Sequence, residues 1–242
     1  MKYSIIIPAL NEEKLLPLLL NKLCDEKLRK DFLFEIIISD GGSTDSTVEI
    51  ARKFTDKVVV ANNSEKQNIA KGRNDGSIVA KGNILIFINA DVMINDFYSL
   101  FEKIKFVFED KKYQAMTCKV LINPDEEIFS DKIFLGFYNL YFHMLNIIGV
   151  GMGRGECQII RSEVFRKLNG YNENFAAGED FDLFRRIRKL GKIYFSRKNI
   201  VYESPRRYRE IGHFGTMFRW LVNSVSTVIL KKSISKEWKQ VR

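Results

Sequence analysis

Four short, unbroken apolar runs punctuate the N-terminal part of the chain: "YSIIIP" (Tyr3–Pro8), "FEIIIS" (Phe34–Ser39), "KVVV" (Lys57–Val60) and "ILIFI" (Ile84–Ile88). A strand with one wet face would alternate apolar and polar residues. Continuous Ile/Val runs instead fit strands covered on both faces. Between them lie stretches of helical apolar spacing: "NEEKLLPLLLNKLCDEKLRK", "STDSTVEIARKF" and roughly Glu65 to Lys81. Pro17 fits the first helix only near its first turn, and Ser and Asp open the second as caps. The alternation predicts a doubly wound α/β architecture, with a mostly parallel central sheet flanked by helices. Such sheets bind ligands at the carboxyl ends of their strands.

The remainder is less regular. "AMTCKVL" and "ECQII" read as strands, and "GEDFDLFRRIRKLG" as a helix with an acidic first turn, a basic last turn and Gly191 as its stop. At 242 residues and 45% hydrophobic content, the chain suits one sizeable core and a single domain over 1–242. The formal net charge of +9 predicts an anionic partner. Basic residues gather in "FRRIRKLGK", "PRRYR" and "KKSISKEWKQVR", but no nucleic-acid motif accompanies them, so nucleic acid is not an expected partner. Cys24, Cys118 and Cys157 are odd in number and lack metal-type spacing, which suits small core residues in a reducing compartment. The first strand begins at Tyr3, so no secretory leader is expected and a cytoplasmic location is.

Three of the apolar runs stop at polar residues. "IIIPALNEE" ends near Asn11 and Glu12, "IIISDGGSTDST" at Asp40, and "IFINADV" at Asn89 and Asp91. In a parallel sheet these ends converge on one edge. A carboxylate there can bond a base or ribose, or hold a hard divalent ion. Gly41 and Gly42 allow close backbone approach to a ligand. Taken alone, Asp-Gly-Gly-Ser before a helix is equally ordinary turn chemistry. Glu179 and Asp180 stand at a predicted helix start, where the dipole favours a carboxylate.

In their order, "IIIPALNEE", "ISDGGSTDST", "KGRNDG", "FINADV" and "GYNENFAAGEDFDLFRRI" resemble family 2 glycosyltransferases of the GT-A fold, over roughly residues 1–191. The resemblance implies a donor-side part at 1–92, an acceptor and catalytic part at 93–204 and a basic helical segment at 205–242. It places Pro8, Ala9, Glu12, Asp40 and Gly41 around the base and ribose of a nucleotide sugar. Arg73 would lie near the base or diphosphate, with Asn74 beside it. Asn89-Ala90-Asp91 matches the family's Asp-x-Asp element, whose last Asp holds a Mg²⁺ or Mn²⁺ ion. Asn89 departs from that pattern and removes one negative charge. Asp180 matches the general base of inverting members, and Glu179 its orienting neighbour. UDP- and GDP-linked donors both remain open.

Arg206, Arg207 and Arg209 suit phosphate oxygens through bidentate forks. The alternative is a basic loop on the surface or facing a membrane. His213 is a further metal-ligand candidate, against a purely structural His. "IFLGFYNLYFHMLNIIGVG" (Ile133–Gly151) is the most hydrophobic segment, yet Asn139, His143 and Asn146 would be costly at mid-bilayer. A buried or interfacial helix is expected. With the basic helix "FGTMFRWLVNSVSTVILKK", it suits peripheral attachment to the inner face of the cell membrane and a lipid-linked acceptor. Two rivals are a sugar nucleotidyltransferase and a transferase-like module that binds without catalysis. "PALNEEKLL" lacks the former's Gly-rich basic loop, and Asp91, Glu179 and Asp180 argue against the latter.

Overall fold

A computed structural model describes residues 2–62 and 67–229. In chain order it runs β1 (Tyr3–Ala9), α1 (Leu16–Leu23), α2 (Glu26–Asp31), β2 (Phe34–Asp40), α3 (Thr47–Phe54), β3 (Val58–Val60), α4 (Ile69–Ile78) and β4 (Ile84–Ile88). There follow β5 (Met93–Ile94), α5 (Phe97–Glu109), β6 (Tyr113–Ile122), α6 (Phe129–Ile147), β7 (Cys157–Arg161), α7 (Ser162–Lys167), α8 (Glu179–Arg188), β8 (Lys192–Glu203) and α9 (Arg206–Ile229).

The described strands form one sheet in the order β3-β2-β1-β4-β7-β6-β8-β5. β3, β2, β1 and β4 are mutually parallel. The chain winds outward from β1 to β3 and then returns to place β4 on the other side of β1. That reversal opens a crevice at the carboxyl ends of β1 and β4. Beyond β4 the sheet is mixed: β7 is antiparallel to both neighbours, β6 and β8 are parallel, and β5 is antiparallel to β8. Both faces are covered, as the continuous apolar runs require. Ile5, Ile7, Ile84, Ile86 and Ile88 join the core on one face with Leu16, Leu19 and Leu100. Ile6, Leu85 and Phe87 join the other, with Ala70, Leu183 and Phe184. Helix α4 lies very close to the sheet: a Cβ on Gly76 would sit 2.6 Å from Cγ2 of Ile6.

Several expectations are corrected. The single first helix is two, because Asp25 accepts the Leu28 amide at 2.8 Å and caps a new start. Pro17 does stand in the first turn of α1. The helix expected from Glu65 begins at Ile69, where Asn68 accepts the Lys71 amide; 63–66 lie outside the described residues. Helix α8 ends at Arg188, short of Gly191. The C-terminal helix starts at Arg206 and breaks at Gly212, where φ is 70°. The basic tail 230–242 lies outside the described residues. All three cysteines are free thiols, and Cys118 and Cys157 are buried.

Candidate active site

A cleft of about 1780 Å³ opens at the crevice between β1 and β4. Its floor is built by the strand ends: Pro8 and Ala9 from β1, Gly41 after β2, and Asn89, Ala90 and Asp91 after β4. The first two loops are stitched together. Gly41 donates its amide to the Ala9 carbonyl at 2.8 Å, Asn11 donates to the Ser43 hydroxyl at 2.8 Å, and Glu12 to the Thr47 hydroxyl at 2.7 Å. Glu12 lines the cleft, but Asp40 does not. The Asp40 carboxylate accepts the amides of Gly42 and Ser43 at 2.9 Å and the Ser43 hydroxyl. It therefore holds the loop, and its neighbours Ser39 and Gly41 face the cleft.

Arg73 is the hub. It is 1% exposed and projects from α4 beneath the cleft. Its Nη1 donates to Glu179 Oε1 at 2.9 Å, and its Nη2 to Asn89 Oδ1 at 3.0 Å and to the Gly155 carbonyl at 2.8 Å. The guanidinium lies 5.2 Å from the centre of the Tyr171 ring. One buried cation thus ties three separated motifs together. The resemblance puts Arg73 near the base or diphosphate; it lines the cleft, and its described hydrogen-bond partners are these protein groups. Asn74 is likewise structural, bonding Tyr171 and Glu173 to hold the loop before α8.

Asp180 follows Gly178, whose φ of 85° lets the chain turn sharply into α8. Asp180 is half-buried and lines the cleft. Burial, with the neighbouring charge of Glu179, pushes its carboxyl up to about 7 against the pull of Arg73. The carboxylate of Asp91 is open to the cleft. Crowding by the surrounding protein and the charge of Glu156 hold it above the usual carboxylate range, partly offset by Arg207 and Arg206. Both arginines line the cleft.

Other residues of the site carried no readable motif. Arg154, 5% exposed, pairs with Glu156 at 3.0 Å and Glu203 at 2.7 Å, and lies 5.2 Å from the Trp220 ring centre. Glu203 also accepts the Tyr208 hydroxyl at 2.6 Å, and burial pushes its carboxyl up to about 7. Only the folded chain brings Arg154 and Glu156, just before β7, beside Glu203 at the end of β8.

His213 and Arg209 are committed elsewhere. His213 Nε2 lies 2.7 Å from Asp131 Oδ1, and Arg209 donates to both oxygens of the same carboxylate at 2.9 and 2.6 Å. Neither residue lines the cleft, so the arrangement lends no support to His213 as a metal ligand. Among the described residues no group of three or more His, Cys, Asp or Glu is arranged to hold a metal ion. Asp91 nonetheless fits one. It is an open, electrostatically crowded carboxylate, and Mg²⁺ is commonly held by one or two carboxylates plus substrate phosphates and water. Such an ion would arrive with a diphosphate.

The model of glycosyl transferase family 2 matches residues 4–168. The succinoglycan biosynthesis protein ExoA of Rhizobium meliloti (strain 1021) is 30% identical over 213 residues, 84% of this chain and 63% of that protein. The 4,4'-diaponeurosporenoate glycosyltransferase of Staphylococcus haemolyticus (strain JCSC1435) is 31% identical over 150 residues, 60% of this chain and 37% of that protein. A mannosyltransferase of Pyrobaculum calidifontis, solved with GDP-Man and Mn²⁺, has a TM-score of 0.69 at 19% identity, covering 90% of this chain and 64% of that one. This chain therefore spans less than two thirds of the length of each of these three. The structural likeness establishes the GT-A fold. With the family model matching most of the chain, from β1 through α7, the protein belongs to glycosyl transferase family 2.

Proposed function

We propose that the chain transfers a sugar, with inversion, from a UDP- or GDP-linked donor to a hydroxyl acceptor, assisted by Mg²⁺ or Mn²⁺. The observation that carries this is the convergence, in one cleft, of the β1 and β4 strand ends with Asp91 and a carboxyl at Asp180 tuned to about 7. Pro8, Ala9, Glu12 and Gly41 form the wall for the base and ribose, and Asn89-Ala90-Asp91 the floor for the diphosphate. Asp40 acts through the loop it holds.

In the reaction, the acceptor oxygen forms a bond to the anomeric carbon as the bond from that carbon to the β-phosphate oxygen breaks. The leaving diphosphate keeps the electron pair, and the acceptor proton passes to Asp180. Glu179, held by Arg73, orients the first turn of α8 so that Asp180 faces the cleft. Arg206 and Arg207 meet the charge that develops on the diphosphate. A divalent ion bound with the donor supplies further charge stabilisation there.

The acceptor side is apolar. Phe137, Tyr141, Phe142, Leu145 and Trp220 line it. This supports a lipid-linked acceptor and work at a membrane surface.

Calorimetry with UDP and GDP, each with and without Mn²⁺, tests the reading. One nucleotide should bind, more tightly with the ion, and Asp91→Ala should remove the Mn²⁺-dependent part. Unchanged metal dependence in Asp91→Ala, or no nucleotide binding at all, would overturn it.

A further inference from the structure

A second cavity, of about 570 Å³, shares no lining residue with the first. It lies where α5, α6, α8 and β8 meet. Lys103, Arg188, Lys192, Arg197 and Lys198 line it, and no carboxylate does. None of the five forms an ion pair with a described carboxylate. His143 lines it too, with its Nδ1 buried and unpartnered. The charge of Asp110 reaches Lys192, but the cluster as a whole still carries an excess of like charge, which favours an anion.

One residue of the lining, Ile147, belongs also to a different feature. Along α6 and its C-terminal end, Ile133, Phe137, Leu140, Met144, Ile147 and Ile148 are exposed by 60, 61, 58, 46, 59 and 66%. At about 100° per residue they fall within an arc of about 100°. The opposite face is buried through Leu135, Tyr138, Asn139 and Phe142. His143 lies on the edge of this stripe that borders the basic cavity. No described helix is long and apolar enough to cross a membrane, so the stripe is not a span.

We propose that this side of α6 docks on an anionic bilayer. The apolar stripe enters the headgroup layer, and the phosphate of an anionic phospholipid seats in the basic cavity. The charge of the cavity beside the stripe selects a phospholipid surface over a second, equally basic copy of this chain. The proposal deepens the membrane-surface part of the reading above and is independent of the transfer chemistry.

Flotation of the full chain with phosphatidylcholine vesicles, and with equimolar phosphatidylcholine and phosphatidylglycerol, tests it. Binding should be confined to the anionic vesicles. R197Q combined with K198Q should weaken it roughly thirty-fold, since each cation at an anionic surface contributes about a five-fold factor. L140S combined with I147S should also weaken it, while nucleotide binding in calorimetry, reported by the other cleft, stays unchanged. Equal vesicle binding by both double variants would place the attachment elsewhere and overturn the proposal. So would tight binding of inorganic phosphate without vesicle binding, or a dimer in sedimentation that L140S/I147S abolishes.

Discussion

Arg73 explains why an amide is tolerated at position 89. The guanidinium already faces Glu179 and lies near Asp180, and Asn89 Oδ1 accepts its remaining fork at 3.0 Å without adding charge. A carboxylate there would accept from the same Nη2 but would raise the local negative charge. Asp180 must be ionised to take a proton, and its carboxyl is pushed up to about 7. Its activity as a base therefore rises as pH rises through that value. With donor and acceptor in hand, kcat/KM should climb with pH through neutrality. Asn89→Asp should move that climb to higher pH, because a like charge disfavours ionisation of Asp180. Asp180→Asn should lower transfer roughly 10²–10⁴-fold while leaving donor affinity in calorimetry near the wild-type value. A flat profile in the wild type, or near-normal transfer by Asp180→Asn, would place the base elsewhere.

Helices α6 and α9 together form one wall of the cleft, and the carboxylate of Asp131 joins them. Asp131, fully buried on the first turn of α6, accepts the Ile128 amide at 3.0 Å and both forks of Arg209, with His213 alongside. His213 in turn stacks on Tyr208 at 5.4 Å. Phe134 and Tyr138 of α6 meet Trp220 of α9 at ring-centre distances of 6.0 and 5.1 Å. The break at Gly212 lets residues on both sides of it reach the same carboxylate. Asp131→Ala removes the tether and leaves Arg209 and His213 facing each other. Discounted for the partial exposure of Arg209, the loss should be about 2 kcal/mol. The urea midpoint should fall, and Trp fluorescence should shift to the red as Trp220 gains water. An unchanged midpoint would mean that the aromatic contacts alone hold α9 in place.

For the molecule as a whole, two groups of carboxyls pull stability in opposite directions with pH. Although burial opposes it, Lys57 and Ser4 hold Glu35 down to about 2, and Arg209 holds Asp131 down to about 2. Their contribution is complete above the ordinary carboxylate range and is lost as pH falls toward about 2. Asp180 and Glu203 are raised to about 7, so the folded chain binds their protons more tightly than the unfolded chain does. Stability therefore increases as pH falls from about 7 toward about 4, where the unfolded carboxyls also protonate. The urea midpoint should be higher at about pH 5 than at about pH 8, and lower again at about pH 3. A midpoint that rises steadily to pH 8 would mean that neither Asp180 nor Glu203 is desolvated as described. The burial that destabilises these two carboxylates is the same burial that would poise Asp180 for the proton transfer proposed above.

Local signals already announced the parallel N-terminal half of the sheet. The continuous apolar runs of β1, β2 and β4 require cover on both faces, and their polar ends require a common edge. Both follow from the period and composition of short segments, and the folded chain has both. Helix α8 and its acidic start were legible for the same reason. Beyond β4 the local signal fades. The long strand β8 and helix α5 went unread because β8 mixes basic and apolar residues and changes register against β6 at Cys118/Lys119. The bonds of Asp40 to its own turn are local and are the Asp-Gly-Gly-Ser turn chemistry that the sequence offered. The partners of Arg73 and the commitment of His213 to Asp131 could not be read from spacing. They join residues 106 and 82 positions apart. A charged side chain of known identity has several neighbours it could satisfy, and only the packed chain selects among them. The same holds for the basic cavity beside α6, whose cations come from α5, α8 and β8 and become neighbours only when those elements close around one helix.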